Sequence, residues 1–369
     1  MTGSISAARE TRRETAEIYS ALELPIFQNR MFSSAAEARG CIRGDVRLVR
    51  DLATGLIFNQ AFRPELMAYD ANYQNEQAVS AVFREHLQQV SGIIERHFRG
   101  RTLIEVGCGK GHFLEQLQGR GFEITGLDPT YEGSNPSVIK EYFSPQIGLR
   151  ADGIVLRHVL EHVQDPLGFL ARIRDANGGG GRIYIEVPCF DWICEHRAWF
   201  DVFYEHVNYL RPADFRRMFS VVHESSHVFA GQYIYVVAEL ATLRDPSQFE
   251  LDAFAFPRDF LATLDRHCRY LQSRPKTPAA VWGGASKGVT FALFMERKGV
   301  GIDLVVDVNP SKQGKFLPGT GLQVRSPEQA LEILPGGADV FVMNGNYLEE
   351  IRALTGNRFN YLTMDHDFI

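Results

Sequence analysis

Twice in 369 residues a short apolar strand runs into a glycine turn and out into a helix, and that recurrence constrains the fold more than any other feature. The first instance is residues 102–106, the turn Gly107-Cys-Gly-Lys-Gly111 and a helix over 112–118. Further strands follow at 122–127, 153–156 and 182–187, with a helix at 166–175 and a flexible turn at 178–181. Strands spaced by helices of this length predict a parallel sheet with helices on both faces. Residues 221–228 and 233–240 read as an antiparallel pair at its far edge. The second instance is residues 279–282 and the turn Gly283-Gly-Ala-Ser-Lys-Gly288, with strands expected at 304–308, 322–324 and 340–343. Between the two, residues 243–256 look like a boundary and 260–273 like an amphipathic helix.

The expected architecture is therefore α/β. A Rossmann-like domain over 76–243 precedes a second, smaller Rossmann-like domain over 244–369, and a lead-in occupies 1–75. Within the lead-in, 7–22 reads as a charged, frayed helix, and 46–49 and 56–59 as strands flanking a turn at 51–55. Val79, Val82, Phe83, Leu87, Val90, Ile93, Ile94 and His97 recur at three and four, which predicts a helix over 77–98.

Charge and cysteine usage narrow the function. A net charge of −6 argues against a general grip on nucleic acid. The five cysteines, Cys41, Cys108, Cys189, Cys194 and Cys268, form no CxxC pair. No metal site is expected, and a reduced, cytoplasmic setting is. No apolar run is long enough to span a membrane.

The first glycine turn carries the chemistry. A dinucleotide fingerprint is GxGxxG, which brings a pyrophosphate to a helix N-terminus. Here the pattern is ExGxGxG, with Glu105 two residues before Gly107. An acid at that place repels a pyrophosphate and suits the ammonium of an amino acid. The next strand ends in Asp128, which can accept both hydroxyls of a ribose. An amino-acid end at the turn and an adenosine at the acid describe S-adenosylmethionine. Glu105, Gly107, Cys108, Gly109, Gly111, Asp128 and Pro129 are the expected cofactor residues, Cys108 as a small filler, with His158 facing the cofactor edge or the core.

These motifs resemble class I S-adenosylmethionine-dependent methyltransferases. The likeness continues in Val159-Leu-Glu-His-Val-Gln-Asp-Pro166, Glu186-Val-Pro188 and Trp199-Phe-Asp-Val-Phe-Tyr-Glu-His-Val-Asn-Tyr209. It extends through Val281-Trp-Gly-Gly-Ala-Ser-Lys-Gly288, Val306-Asp-Val-Asn-Pro-Ser-Lys-Gln-Gly314 and Leu317-Pro-Gly-Thr320. Together they are similar to the sugar C-methyltransferase family, which alkylates carbon three of nucleotide-linked 4-keto sugars. Two departures stand out. That family opens with a zinc domain built on paired CxxC motifs, and here the matching region keeps only Cys41. The resemblance thus implies a degenerate, zinc-less remnant. Tyr204-Glu205-His206 is also one residue shorter than the family's Tyr-His-Glu-His.

Carbon methylation beside a ketone needs a base to make the enolate and a donor to hold the oxyanion. The resemblance places equivalents of His162, Glu205 and His206 in the active site. His206 is expected as base and Glu205 as orienting it or sharing that role, with Tyr204 and His162 bonding the substrate. Tyr69 and Tyr73 are candidates for the pocket wall. Lys287 and Lys312 would meet a phosphate as point charges. The second turn lacks a full dinucleotide fingerprint, so a second cofactor is less favoured than a degenerate domain that helps bind the nucleotide part of a substrate or simply stabilises the chain. The expected product is a methylated small molecule of specialised, antibiotic-type biosynthesis. O- or N-methylation on the same scaffold is the alternative. Neither a nucleic-acid nor a membrane partner is expected, and the chain would be a monomer or homodimer.

Overall fold

A computed structural model describes residues 14–67 and 80–364. Three sheets organise these residues. The largest has seven strands in the order Val222–Val228, Tyr233–Glu239, Arg182–Pro188, Gly153–Arg157, Leu103–Val106, Ile124–Leu127 and Val138–Ile139. The last five run parallel, and the hairpin 222–239 is antiparallel at the edge. Parallel strands covered on both faces read as unbroken apolar runs. Ile154, Val155 and Leu156 accordingly have no exposed surface.

A five-stranded, fully parallel sheet follows in the order Val324–Arg325, Leu304–Val306, Ala279–Trp282, Asp339–Val342, Asn360–Thr363. In both sheets the first and fourth strands of the unit lie side by side. Connections leave that point in opposite directions, which opens a crevice beyond the strands' carboxyl ends. Among the described residues no helix is long and apolar enough to cross a membrane.

The lead-in departs from expectation. Residues 15–25 are a strand, not a helix. Tyr19 and Ala21 point inward while Ser20 and Leu22 face out, a period of two rather than 3.6. This strand pairs antiparallel with Arg43–Asp51, which pairs with Ile57–Asn59 across the expected turn. Asn208–Tyr209, from the middle of the chain, completes the sheet. The lead-in also bridges the two larger units. Gln28 N–H donates to Glu205 at 3.0 Å, and Asn29 donates to Ser286 Oγ at 3.1 Å. The helix Ala81–Phe98 starts at Ser80, whose hydroxyl donates to Glu350 of the C-terminal unit at 2.8 Å.

Candidate functional site

A cavity of about 420 Å³ lies where the crevices of the two parallel sheets meet. Residues 107–110 line it from the large sheet, and residues 283 and 285–288 line it from the smaller one. His158 and Glu161, after the fourth strand of the large sheet, face Met343 and Asn344, after the fourth strand of the small one.

The first turn is built for close approach. Gly107 sits at φ +74°, and a Cβ there would meet Val159 Cγ2 at 2.5 Å. Gly109 sits at φ +54° with open space where a Cβ would be. Both conformations favour glycine. Glu105 is 3% exposed, lines the cavity, and its Oε2 has no hydrogen-bond partner. Burial pushes its carboxyl up to about 8. An orphaned acceptor beside an open turn fits a ligand bearing an ammonium and does not fit a pyrophosphate. Cys108 fills space, and burial pushes its thiol up, away from reactivity. Asp128 and Pro129 stand beside the turn, outside the cavity lining. The Asp128 carboxylate accepts the Gly109 N–H. Gly111 starts the next helix at φ +81°.

Below the turn lies a charged network that the sequence reading did not anticipate. Glu186 is fully buried and is bonded by His86 at 2.9 Å, His158 at 3.1 Å, Arg157 at 3.2 Å and Tyr184 at 2.6 Å. Burial opposes its charge, but Arg157 and the two histidines hold the carboxyl well below its usual range. For His158 burial again works against the charge, yet the carboxylates of Glu161 and Glu186 push the ring up to about 9. Alternating burial along a strand does not flag Glu186; only the acid inside an otherwise apolar run, Ile183-Tyr-Ile-Glu-Val187, hints at it.

His162, Glu205 and His206 come together on the cavity wall. His162 Nδ1 is 2.8 Å from the Glu205 main-chain oxygen. The His162 and His206 rings meet edge to face at 5.0 Å between centroids. Tyr204 is turned away. Its hydroxyl accepts the Arg63 N–H at 2.9 Å, and its ring packs on Phe62 and over Gly44. This tyrosine therefore belongs to the lead-in interface. Tyr69 and Tyr73 lie outside the described residues.

At the far end, the helix Ser286–Arg297 opens on the cavity with no side-chain cap. A Cβ on Gly288 would sit 1.9 Å from the Gly283 oxygen, so the turn and helix pack as closely as glycine allows. Lys287 and Lys312 both line the cavity with carboxylate partners: Asp201 at 3.0 Å and Asp307 at 3.5 Å.

Residues 71–221 match the family model described as a methyltransferase domain, and residues 238–358 match that of a C-methyltransferase C-terminal domain. A ubiquinone biosynthesis O-methyltransferase of Ruegeria pomeroyi is 33% identical over 104 residues, 24% of this chain and 41% of that protein. A tRNA U34 carboxymethyltransferase of Pseudoalteromonas translucida is 27% identical over 103 residues, 24% of this chain and 32% of that protein. The chain thus spans between a third and two-fifths of these relatives' length. Among solved structures, a Burkholderia thailandensis 1,6-didemethyltoxoflavin-N1-methyltransferase with bound S-adenosylhomocysteine is 17% identical, covers 50% of this chain and 95% of its own, and gives a TM-score of 0.32.

Proposed function

We propose that this chain, which belongs to the class I S-adenosylmethionine-dependent methyltransferases and carries a C-methyltransferase C-terminal domain, methylates a carbon next to a carbonyl in a small molecule. The acceptor class is a nucleotide-linked keto sugar or a similar biosynthetic intermediate. One observation carries the reading: the donor turn and the second glycine turn open into a single cavity. A ligand reaching both has a reacting end and a distant anchoring end.

The donor supplies an electrophilic methyl on a sulfonium. Glu105 and the main chain of residues 107–111 would hold its amino-acid tail, and Asp128 its ribose. At the other end, the uncapped N–H groups at the start of the helix Ser286–Arg297 favour an anion, as does Lys287 at their side. A diphosphate there would draw Lys287 and Lys312 from Asp201 and Asp307. Between the two ends stand His162, Glu205 and His206, the groups able to take a proton and to steady an oxyanion. Fixing acceptor and donor in one crevice supplies the alignment an in-line displacement needs.

The test is transfer from a donor carrying a 13C-methyl group to thymidine diphosphate 4-keto-6-deoxyglucose, read by carbon spectroscopy of the product. A label bonded to carbon supports the reading. The likeness to an O-methyltransferase favours a second reading, in which the same base takes a hydroxyl proton. A label on oxygen or nitrogen selects that reading and overturns the first.

A further inference from the structure

Glu161 is buried on the cavity wall with one carboxylate oxygen unsatisfied. It is 2% exposed, and its Oε2 has no hydrogen-bond partner. Native folds rarely leave such an atom unpaired, and an ion is among the few explanations when they do. One oxygen of Glu161, one ring nitrogen of His162 and one of His206 lie within 4.8 Å of one another, and all three residues line the cavity. Bonds of about 2.0–2.2 Å to a metal ion bring ligating atoms about 3–3.5 Å apart, so small side-chain rotations close the set.

The surroundings of the three residues suit ligation. His162 Nδ1 is 2.8 Å from the Glu205 main-chain oxygen, which only accepts, so Nδ1 carries the hydrogen and Nε2 offers its lone pair. A metal-bound histidine characteristically gives its other N–H to a carbonyl or carboxylate in this way. His158 Nδ1 stands 3.3 Å from Glu161 Oε1, which orients the carboxylate and leaves Oε2 to a ligand. The two segments that carry the ligands are pinned together. The Val207 N–H donates to the Glu161 main-chain oxygen at 2.7 Å, and the Asn208 side chain donates to that of Leu160 at 3.1 Å. The His206 ring packs on Phe203 at 4.0 Å between centroids. The neighbouring cations are already offset, His158 by Glu186 at 3.1 Å and Lys287 by Asp201 at 3.0 Å.

We propose that Glu161, His162 and His206 bind one divalent transition-metal ion, and that its open position takes the carbonyl oxygen of the acceptor. Two imidazoles and a carboxylate with positions left open suit zinc or ferrous iron, whereas magnesium and calcium prefer oxygen ligands throughout. The lack of CxxC pairs speaks only against a thiolate site, and no cysteine belongs to this cluster. The carbonyl contact rests on the carbon-methylation reading. There the ion polarises the C=O bond and steadies the charge that grows on oxygen as the adjoining carbon loses its proton.

The test uses the full chain, dialysed against a chelator, saturated with S-adenosylhomocysteine and titrated with Co2+ by visible absorption and calorimetry. The expected result is one equivalent bound, displaced by Zn2+ and not by Mg2+. X-ray absorption of the zinc-loaded wild type should count two imidazoles. Glu161→Gln, His162→Gln and His206→Gln should each weaken Co2+ binding by about 100-fold or more, since even losing a group that only supports a ligand costs about 10- to 100-fold. Retained S-adenosylhomocysteine affinity shows that each variant is folded. Absence of binding, a thiolate charge-transfer band, or affinity unchanged in the folded variants overturns the site. Thymidine diphosphate 4-keto-6-deoxyglucose should then shift the Co2+ spectrum. A sugar that binds without a shift overturns the carbonyl contact. A sugar that fails to bind overturns the acceptor class and that contact with it, while the titration still decides the metal site.

Discussion

The Gly109 N–H donates to Asp128 Oδ2 at 2.9 Å, so the acid closing the second strand of the large sheet is tied to the glycine turn closing the first. The other oxygen takes the Thr130 N–H at 2.8 Å and its hydroxyl at 2.7 Å. The C-terminal sheet repeats the arrangement: Asp307 accepts the Gly284 N–H and the Asn309 N–H, each at 2.8 Å. An acid in this place fixes the turn's shape, and at Asp128 it keeps a lone pair on Oδ2 for a hydroxyl.

Asp128→Ala should weaken S-adenosylhomocysteine binding by about tenfold, since a lost charge-assisted hydrogen bond is worth about 1.4 kcal/mol. Asp128→Asn, which keeps an acceptor for the Gly109 N–H, should lose less than Ala. Calorimetry distinguishes them. Equal affinity in all three proteins would remove Asp128 from the donor site.

Glu105 should make donor binding proton-linked. With its carboxyl at about 8, the free protein holds a proton there at neutral pH. An ammonium placed against it favours the charged form, so binding should release a proton. Affinity for S-adenosylhomocysteine should rise as pH climbs from 6.5 toward 8, within the window set by that group. Calorimetry near neutral pH in buffers of different ionisation enthalpy reads the proton directly. Glu105→Gln should abolish the linkage, and a wild-type protein that releases none would place the ammonium elsewhere.

Much of this was legible from sequence because period and punctuation encode it. The two parallel sheets follow from strand–turn–helix spacing, and the glycines of the two turns from close approaches such as those at Gly107 and Gly288. The lead-in strand is hard to read in sequence because Thr15–Pro25 carries Glu17 and Glu23, and their charge masks the alternation of Tyr19 and Ala21. At the other edge of the same sheet Ile57–Asn59 pairs with Asn208–Tyr209, far along the chain, and no local pattern reports such a pairing. The fate of Tyr204 was equally hidden. Whether a side chain after a strand points into a crevice or into a neighbouring sheet depends on the packing around Gly44 and Phe62. The Glu186 network was invisible for a related reason: its partners come from the helix Ala81–Phe98, the strand Gly153–Arg157 and the residue after it.

Glu186 should be among the most costly residues to remove. Glu186→Leu leaves Arg157 and His158 without their shared counter-charge in a buried site, and breaking such a pair typically costs about 3–5 kcal/mol. Glu186→Gln preserves shape and part of the hydrogen bonding, so its loss should be smaller. Denaturant unfolding with a fixed slope reads both. A cost under about 1 kcal/mol for the Leu variant would mean that water reaches the network and screens it.

His158 should give the protein a stability limb on the alkaline side. Its ring is raised from 6.5 to about 9, so the folded chain binds a proton there that the unfolded chain releases earlier. That contribution is complete below 6.5 and disappears as pH rises through about 9. Glu105, at about 8 when folded, declines in the same direction, so the wild-type curve alone does not isolate either group. The difference between wild type and His158→Gln does. The melting-temperature gap should be widest near neutral pH and close as pH climbs past 9. Because the ring is 28% exposed, solvent screens part of the effect and the gap should be modest. A gap that stays constant from neutral to alkaline pH would mean that His158 is held neutral, and that Glu161 and Glu186 bind it as ordinary hydrogen-bond partners.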